Sequence, residues 1–143
     1  MKLSPAGKQL IEQFESFRSV AYQDQKGVWT IGYGHTAGVK EGDTCTQAQA
    51  DAFLEADAAA AVLAVNRSLD VAINQNQFDA LVDFTYNLGI GSEAHSTLLH
   101  YINQSQLAQA ANEFPKWNHC DGVVDDGLTR RRAAEQKLFM SPV

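Results

Sequence analysis

The stretch FESFRSVAYQDQKGVWTIGYGHT, residues 14–36, decides how the chain is read. Upstream, Ser4-Pro5 reads as an N-cap followed by proline at the first helical position, and Leu10, Ile11 and Phe14 recur on one face. That predicts a helix over 4–15, ending near Glu15 or Ser16. From Ala21 to Val39 the period changes. Tyr22, Val28, Trp29, Thr30, Ile31 and Tyr33 are strand formers, punctuated by Gly27, Gly32, Gly34 and Gly38. A small hairpin sheet fits this pattern.

Further along, TQAQ at Thr46 is a capping box, with Thr46 as N-cap and Gln49 three residues on, opening an alanine-rich helix to about Val65. QFDALVDFTYNLG is apolar on more than one side and ends at Gly89, which predicts a central helix. STLLHYIN and QLAQAANEF read as two short amphipathic helices. CDGVVDDG reads as a loop before TRRRAAEQKLFM, a last helix opened by Thr129. No linker or repeat interrupts the chain. The fold class is α+β within a single domain over 1–143, with a small sheet lobe at about 17–45 and a helical lobe over 46–143 joined by helix 4–15.

A chain of 143 residues, 45% apolar, has the size of one ordinary domain. Acidic residues outnumber basic ones, 17 against 11, for a formal net charge of -6. That balance disfavours a general nucleic-acid binder. Neither a signal-type apolar segment nor an 18-residue apolar run is present, so synthesis in the cytoplasm is expected. Cys45 and Cys120 are too few for a disulfide scaffold and fit no metal spacing, and whether they pair depends on a distance the sequence does not hold.

Three residues of the opening stretch could carry chemistry. Glu15 follows Phe14 at a helix end, where apolar neighbours favour the protonated form that a general acid needs. Asp24 sits in the polar turn YQDQKG, which keeps it solvated and ionised. Thr30 follows Trp29 in a strand, with a hydroxyl able to hold a water. Each has an ordinary reading as well, since acids are common in turns and at helix ends and threonine is a good strand former.

The full string E-x8-D-x5-T, read as Glu15, Asp24 and Thr30 with GYGHT immediately after, resembles the signature of the phage-type lysozymes, glycoside hydrolase family 24. YNLGIGSEAHSTLL from Tyr86 and GLTRRRAAEQKLF resemble the family's central and C-terminal helices, so nearly the whole chain is covered. The resemblance implies a lysozyme-like fold and an enzyme that cleaves the bond between N-acetylmuramic acid and N-acetylglucosamine in peptidoglycan during host lysis. In those roles Glu15 protonates the glycosidic oxygen, Asp24 acts from the opposite side and Thr30 helps position the attacking water. The family is described as inverting, which implies carboxyl groups about 6.5–9.5 Å apart, against roughly 5 Å for a retaining pair. Thr36, Tyr86, Thr97 and Asn112 match positions that line the family's cleft. No cofactor is implied, monomers are expected, and a separate membrane-permeabilising partner of holin type would bring the enzyme to the wall. Two other readings stay open: a lytic transglycosylase, which needs no water-activating groups, and a silent glycan-binding module on the same fold.

Asp57 falls on the apolar stripe of the alanine-rich helix, where an unpaired carboxylate is costly to bury. We expect it to pair with His35, a pairing the resemblance supports. No second ligand stands near His35 at metal-binding spacing, and His95, His100 and His119 have no evident partners. Arg130, Arg131 and Arg132 form the one basic cluster, and three cations at a helix start oppose its dipole. In the family an arginine of this helix approaches the catalytic Glu; Arg131 is our choice for the inward one.

Overall fold

A computed structural model describes residues 1–143. Backbone contacts group the chain into two compact units, one formed by Gln9–Ala60 and the other by Met1–Lys8 with Ala61–Val143. Helices α1 (Pro5–Glu15) and α2 (Gln47–Ser68) each run through a boundary between them.

In the unit of residues 9–60, α1 stops where Ser16 takes a left-handed backbone, φ 57°. This is the usual way a helix ends, made here without glycine. The chain passes at once into β1 (Arg18–Gln23), which pairs antiparallel with β2 (Trp29–Gly32). The strand starts earlier than the Ala21 expected, because Arg18 already faces Gly32 across the ladder; the register is irregular between Arg18 and Tyr22. Val20 bridges Thr44 on β1's other edge, so both edges of this strand are hydrogen-bonded. Gly32 is left-handed at φ 66°, and a Cβ there would lie 3.1 Å from Ala50 Cβ. Glycine is therefore what lets the first turns of α2 approach the sheet. The capping box at that helix is formed as read: Gln49 N donates to Thr46 Oγ1 at 3.1 Å and Thr46 N to Gln49 Oε1 at 2.9 Å.

The other unit is built on α3 (Gln75–Leu88), whose residues are buried without a break from Gln77 to Thr85. A second capping box, which the sequence reading passed over, opens it: Asn74 Oδ1 accepts from Gln77 N and Gln77 Oε1 from Asn74 N. Short helices α4 (Ile90–Ala94), α5 (Thr97–Asn103) and α6 (Leu107–Ala111) follow, then a 3-10 turn over Phe114–Lys116. Phe84 meets Phe114 and Trp117 edge-on at 5.7 and 5.5 Å, and Phe114 continues to Phe139 at 5.4 Å, an aromatic chain through this core.

Two expectations change here. The segment read as a loop forms a tight hairpin, β3 (His119–Cys120) with β4 (Val123–Val124), turned by Asp121 and Gly122 in left-handed backbone. The last helix, α7 (Asp126–Met140), starts earlier than Thr129. Asp125 caps it by accepting from Leu128 N at 2.8 Å, while the Thr129 hydroxyl donates to Asp125 O and accepts from Asn118 Nδ2. An aspartate is at least as good a cap as threonine and adds charge that favours the helix start. The three arginines consequently sit beyond the first turn.

Candidate active site

Glu15 is the last residue of α1 and is half-buried beside the left-handed Ser16. Asp24 lies in the β1–β2 turn, which its own carboxylate organises. Oδ1 accepts from Lys26 N at 2.8 Å and from Val28 N at 2.9 Å. Gly27, at φ 80°, allows the return. These bonds occupy one carboxylate oxygen, Oδ1, of an exposed residue.

Thr30 is opposite Tyr22 in the ladder and almost wholly buried, at 4% exposure. Its hydroxyl donates to Val28 O at 2.9 Å. The Val28 peptide is thus a hub: its N–H holds Asp24, and its carbonyl accepts both Asp24 N, at 2.9 Å, and the Thr30 hydroxyl. With its one proton committed, Thr30 Oγ1 has only lone pairs left to offer. Asp24 Oδ2 and Thr30 Oγ1 are therefore both acceptors.

His35 returns from the Gly32–Gly34 turn, bridged to Ile31. Its Nδ1 lies 2.8 Å from Asp57 Oδ2 on α2, and its ring stacks on Phe53 at 4.2 Å. The contact joins the sheet to the helix inside one unit. Thr36 beside it is exposed.

The remaining residues singled out belong to the other unit. Tyr86 is half-buried near the end of α3, Thr97 is the exposed first residue of α5, and Asn112 is exposed just past α6. Arg130 is exposed, but Arg131 and Arg132 are both buried, so the expectation of a single inward arginine was too narrow. Consecutive residues on a helix can both turn inward when each finds an acid. Arg131 grips Asp83 in a fork, Nε to Oδ2 at 3.0 Å and NH2 to Oδ1 at 2.9 Å. Arg132 reaches Glu135 Oε1 at 2.7 Å and Asn87 Oδ1 at 2.8 Å.

The sequence reading missed these acids, although the signal was present. Asp79 and Asp83 lie within the run buried from Gln77 to Thr85, and a buried carboxylate requires partners. Glu135 is wholly buried. Burial, and then the neighbouring Asp83 carboxylate, hold its carboxyl well above the usual range, against the opposing pull of Arg132. Its Oε2 has no hydrogen-bond partner. Glu93 is also buried, and burial raises its carboxyl despite the hydroxyl of Ser68 at 2.7 Å. No group of three or more His, Cys, Asp or Glu side chains is gathered so as to hold a metal ion, both cysteines are free thiols, and no helix is long and apolar enough to cross a membrane.

Comparison with known proteins matches residues 12–135 to the phage lysozyme family. The endolysin of Bacillus phage PZA is 46% identical over 144 residues, covering 99% of this chain but 56% of that protein, so the chain spans about half the length of this relative. The endolysin of Acyrthosiphon pisum secondary endosymbiont phage 1 is 39% identical and matches end to end, with 99% of each chain covered. Among solved structures, the muramidase domain of SpmX from Asticaccaulis excentricus superposes with a TM-score of 0.94 at 41% identity, over 99% of both chains. The fold is lysozyme-like.

Proposed function

We propose that this chain, which belongs to the phage lysozyme family, is a muramidase that hydrolyses the β-1,4 bond between N-acetylmuramic acid and N-acetylglucosamine in peptidoglycan and serves host-cell lysis. The observation that carries the reading is the hydrogen-bond lattice through Val28. It ties Asp24 and Thr30 to one peptide of the β1–β2 turn, which supports reading them as the pair that handles water, the second substrate of hydrolysis.

In this mechanism Glu15 gives its proton to the glycosidic oxygen as the bond from the anomeric carbon breaks. Water attacks that carbon from the opposite face, and its proton passes to Asp24. Thr30 takes no proton; it fixes the direction of the water's lone pair. Attack from the face opposite the leaving group inverts the anomeric centre. Thr36, Tyr86, Thr97 and Asn112 are assigned to the sugar chain by the family resemblance, and Arg131 to the electrostatic surroundings of the acid. The proposal includes a single catalytic domain acting as a monomer without a cofactor. It is made in the host cytoplasm and reaches the wall after a separate holin-type protein opens the membrane.

Mass analysis of fragments released from purified peptidoglycan tests the reading, with Glu15→Gln as control. Hydrated reducing muramic-acid ends, absent in the control, are expected. Anhydro-muramic ends would assign the chain to the transglycosylases, and an intact wall would leave a glycan-binding module.

A further inference from the structure

The turn that carries Asp24 is held by hydrogen bonds rather than by packing. Residues 23–28 are all exposed, and a Cβ at Gly27 would meet no atom within 4 Å. Gly27 stands at φ 80°, and glycine leaves such a conformation easily because both signs of φ are open to it. Packing therefore does not stop the peptide between Gly27 and Val28 from turning over. That peptide matters, since its N–H is one of the two that hold Asp24 Oδ1.

Gln23, the last residue of β1, binds the other end of the same peptide. Its Nε2 donates to Gly27 O at 3.3 Å. The C=O and N–H of a trans peptide point in opposite directions, and successive side chains leave a strand on opposite faces. Gln23 and Asp24 thus hold one peptide from its two sides, the amide on the carbonyl and the carboxylate on the N–H. A donor on the carbonyl also polarises the N–H at the far end and strengthens its bond to the carboxylate. Turning the peptide over breaks both bonds together and leaves Lys26 N as the only donor to Asp24 Oδ1.

We propose that Gln23 is a positioning residue for Asp24: its side-chain amide latches the Gly27–Val28 peptide in the orientation whose N–H aims the carboxylate. This rests on the reading of Asp24 as the group that takes the proton of water. Gln23 acts through the peptide and touches neither sugar nor water.

The test combines kcat and KM on purified peptidoglycan with NMR of the Val28 amide proton through an acid titration. An amide that donates to a carboxylate changes its shift as that carboxylate gains a proton, so the Val28 signal reports the bond to Asp24 directly. Gln23→Met keeps the length of the side chain and removes its donor. It is expected to lower kcat about three-fold with KM little changed, the effect of one weakened surface hydrogen bond. The pH-dependent shift of Val28 should shrink, while that of the Lys26 amide, which does not depend on this peptide, persists. Gln23→Lys returns a donor at similar reach and is expected to recover most of both losses. Gln25→Met removes an amide of the same turn that bonds neither Asp24 nor the Gly27–Val28 peptide, and is expected to match the wild type. Wild-type kcat in Gln23→Met, or an equal fall in Gln25→Met, overturns the proposal. So does an undiminished Val28 shift in Gln23→Met, even where kcat falls. If the wild-type protein releases no fragments from the wall, the muramidase reading fails, and the Val28 titration still decides whether Gln23 sets the peptide.

Discussion

Replacing Asp83 with alanine tests how the buried charges of α3 and α7 are balanced. Asp83 is fully buried and Arg131 nearly so, and the two bonds of the fork, 3.0 and 2.9 Å, leave the guanidinium matched to that carboxylate. Truncating one partner of a buried pair costs about 3–5 kcal/mol, because the other charge stays buried without compensation. Here the lower end applies. After burial, Asp83 is what raises the Glu135 carboxyl, so removing Asp83 lets Glu135 ionise more readily and take over part of the compensation. A loss of about 3 kcal/mol corresponds to a urea midpoint lowered by roughly 1.5 M for a slope near 2 kcal/mol/M, and a melting temperature lower by about 10 °C. The assay is urea unfolding followed by circular dichroism at neutral pH, run beside Arg131→Met and the Asp83→Leu/Arg131→Met double variant. The double variant should recover at least half the loss, since two apolar groups replace two charges that had to be desolvated. A cost below about 1 kcal/mol for Asp83→Ala, or a double variant no more stable than the single, would refute the argument.

Two further outcomes follow from particular groups. Glu93 keeps its proton more firmly in the folded protein than its unfolded value of 4.5 allows, so its contribution stabilises at low pH and is lost as the pH rises from there through the raised folded value. Glu93→Gln, which can still accept from Ser68, should therefore show a smaller fall in urea midpoint between pH 4.5 and pH 8 than the wild type; an equal fall would contradict the assignment. Gly27→Ala meets no atom within 4 Å but must hold φ 80°, at a cost of about 1 kcal/mol. Because that turn holds Asp24, kcat on peptidoglycan should fall several-fold with KM little changed, and unaltered kcat would separate the turn from catalysis.

The local chemistry of the chain was open to inspection in its sequence. Ser4-Pro5, Thr46 with Gln49, and Gly89 announce helix ends through rules that act within four residues, and each stands where those rules put it. The change from a helical period to glycine-punctuated strand formers announced the hairpin for the same reason. Asp57 on an apolar stripe called for a partner, and His35 stands 2.8 Å away. Local rules erred where two signals of the same kind competed. Asp125 and Thr129 both look like caps, and only the helix's actual start discriminates between them.

What tertiary structure alone decided is the matching of groups far apart in the chain. Arg131 meets Asp83 because α3 and α7 pack together, a separation of 48 residues that no periodicity encodes. The raised carboxyl of Glu135 depends on burial and on a neighbour from another helix. The direction of the Thr30 hydroxyl is likewise a product of the fold, since it needs the turn closed so that Val28 O lies 2.9 Å away. Residue types and their spacing determine which side chains can take part in chemistry; desolvation and hydrogen-bond direction, which exist only once the chain has closed on itself, determine what state they are in.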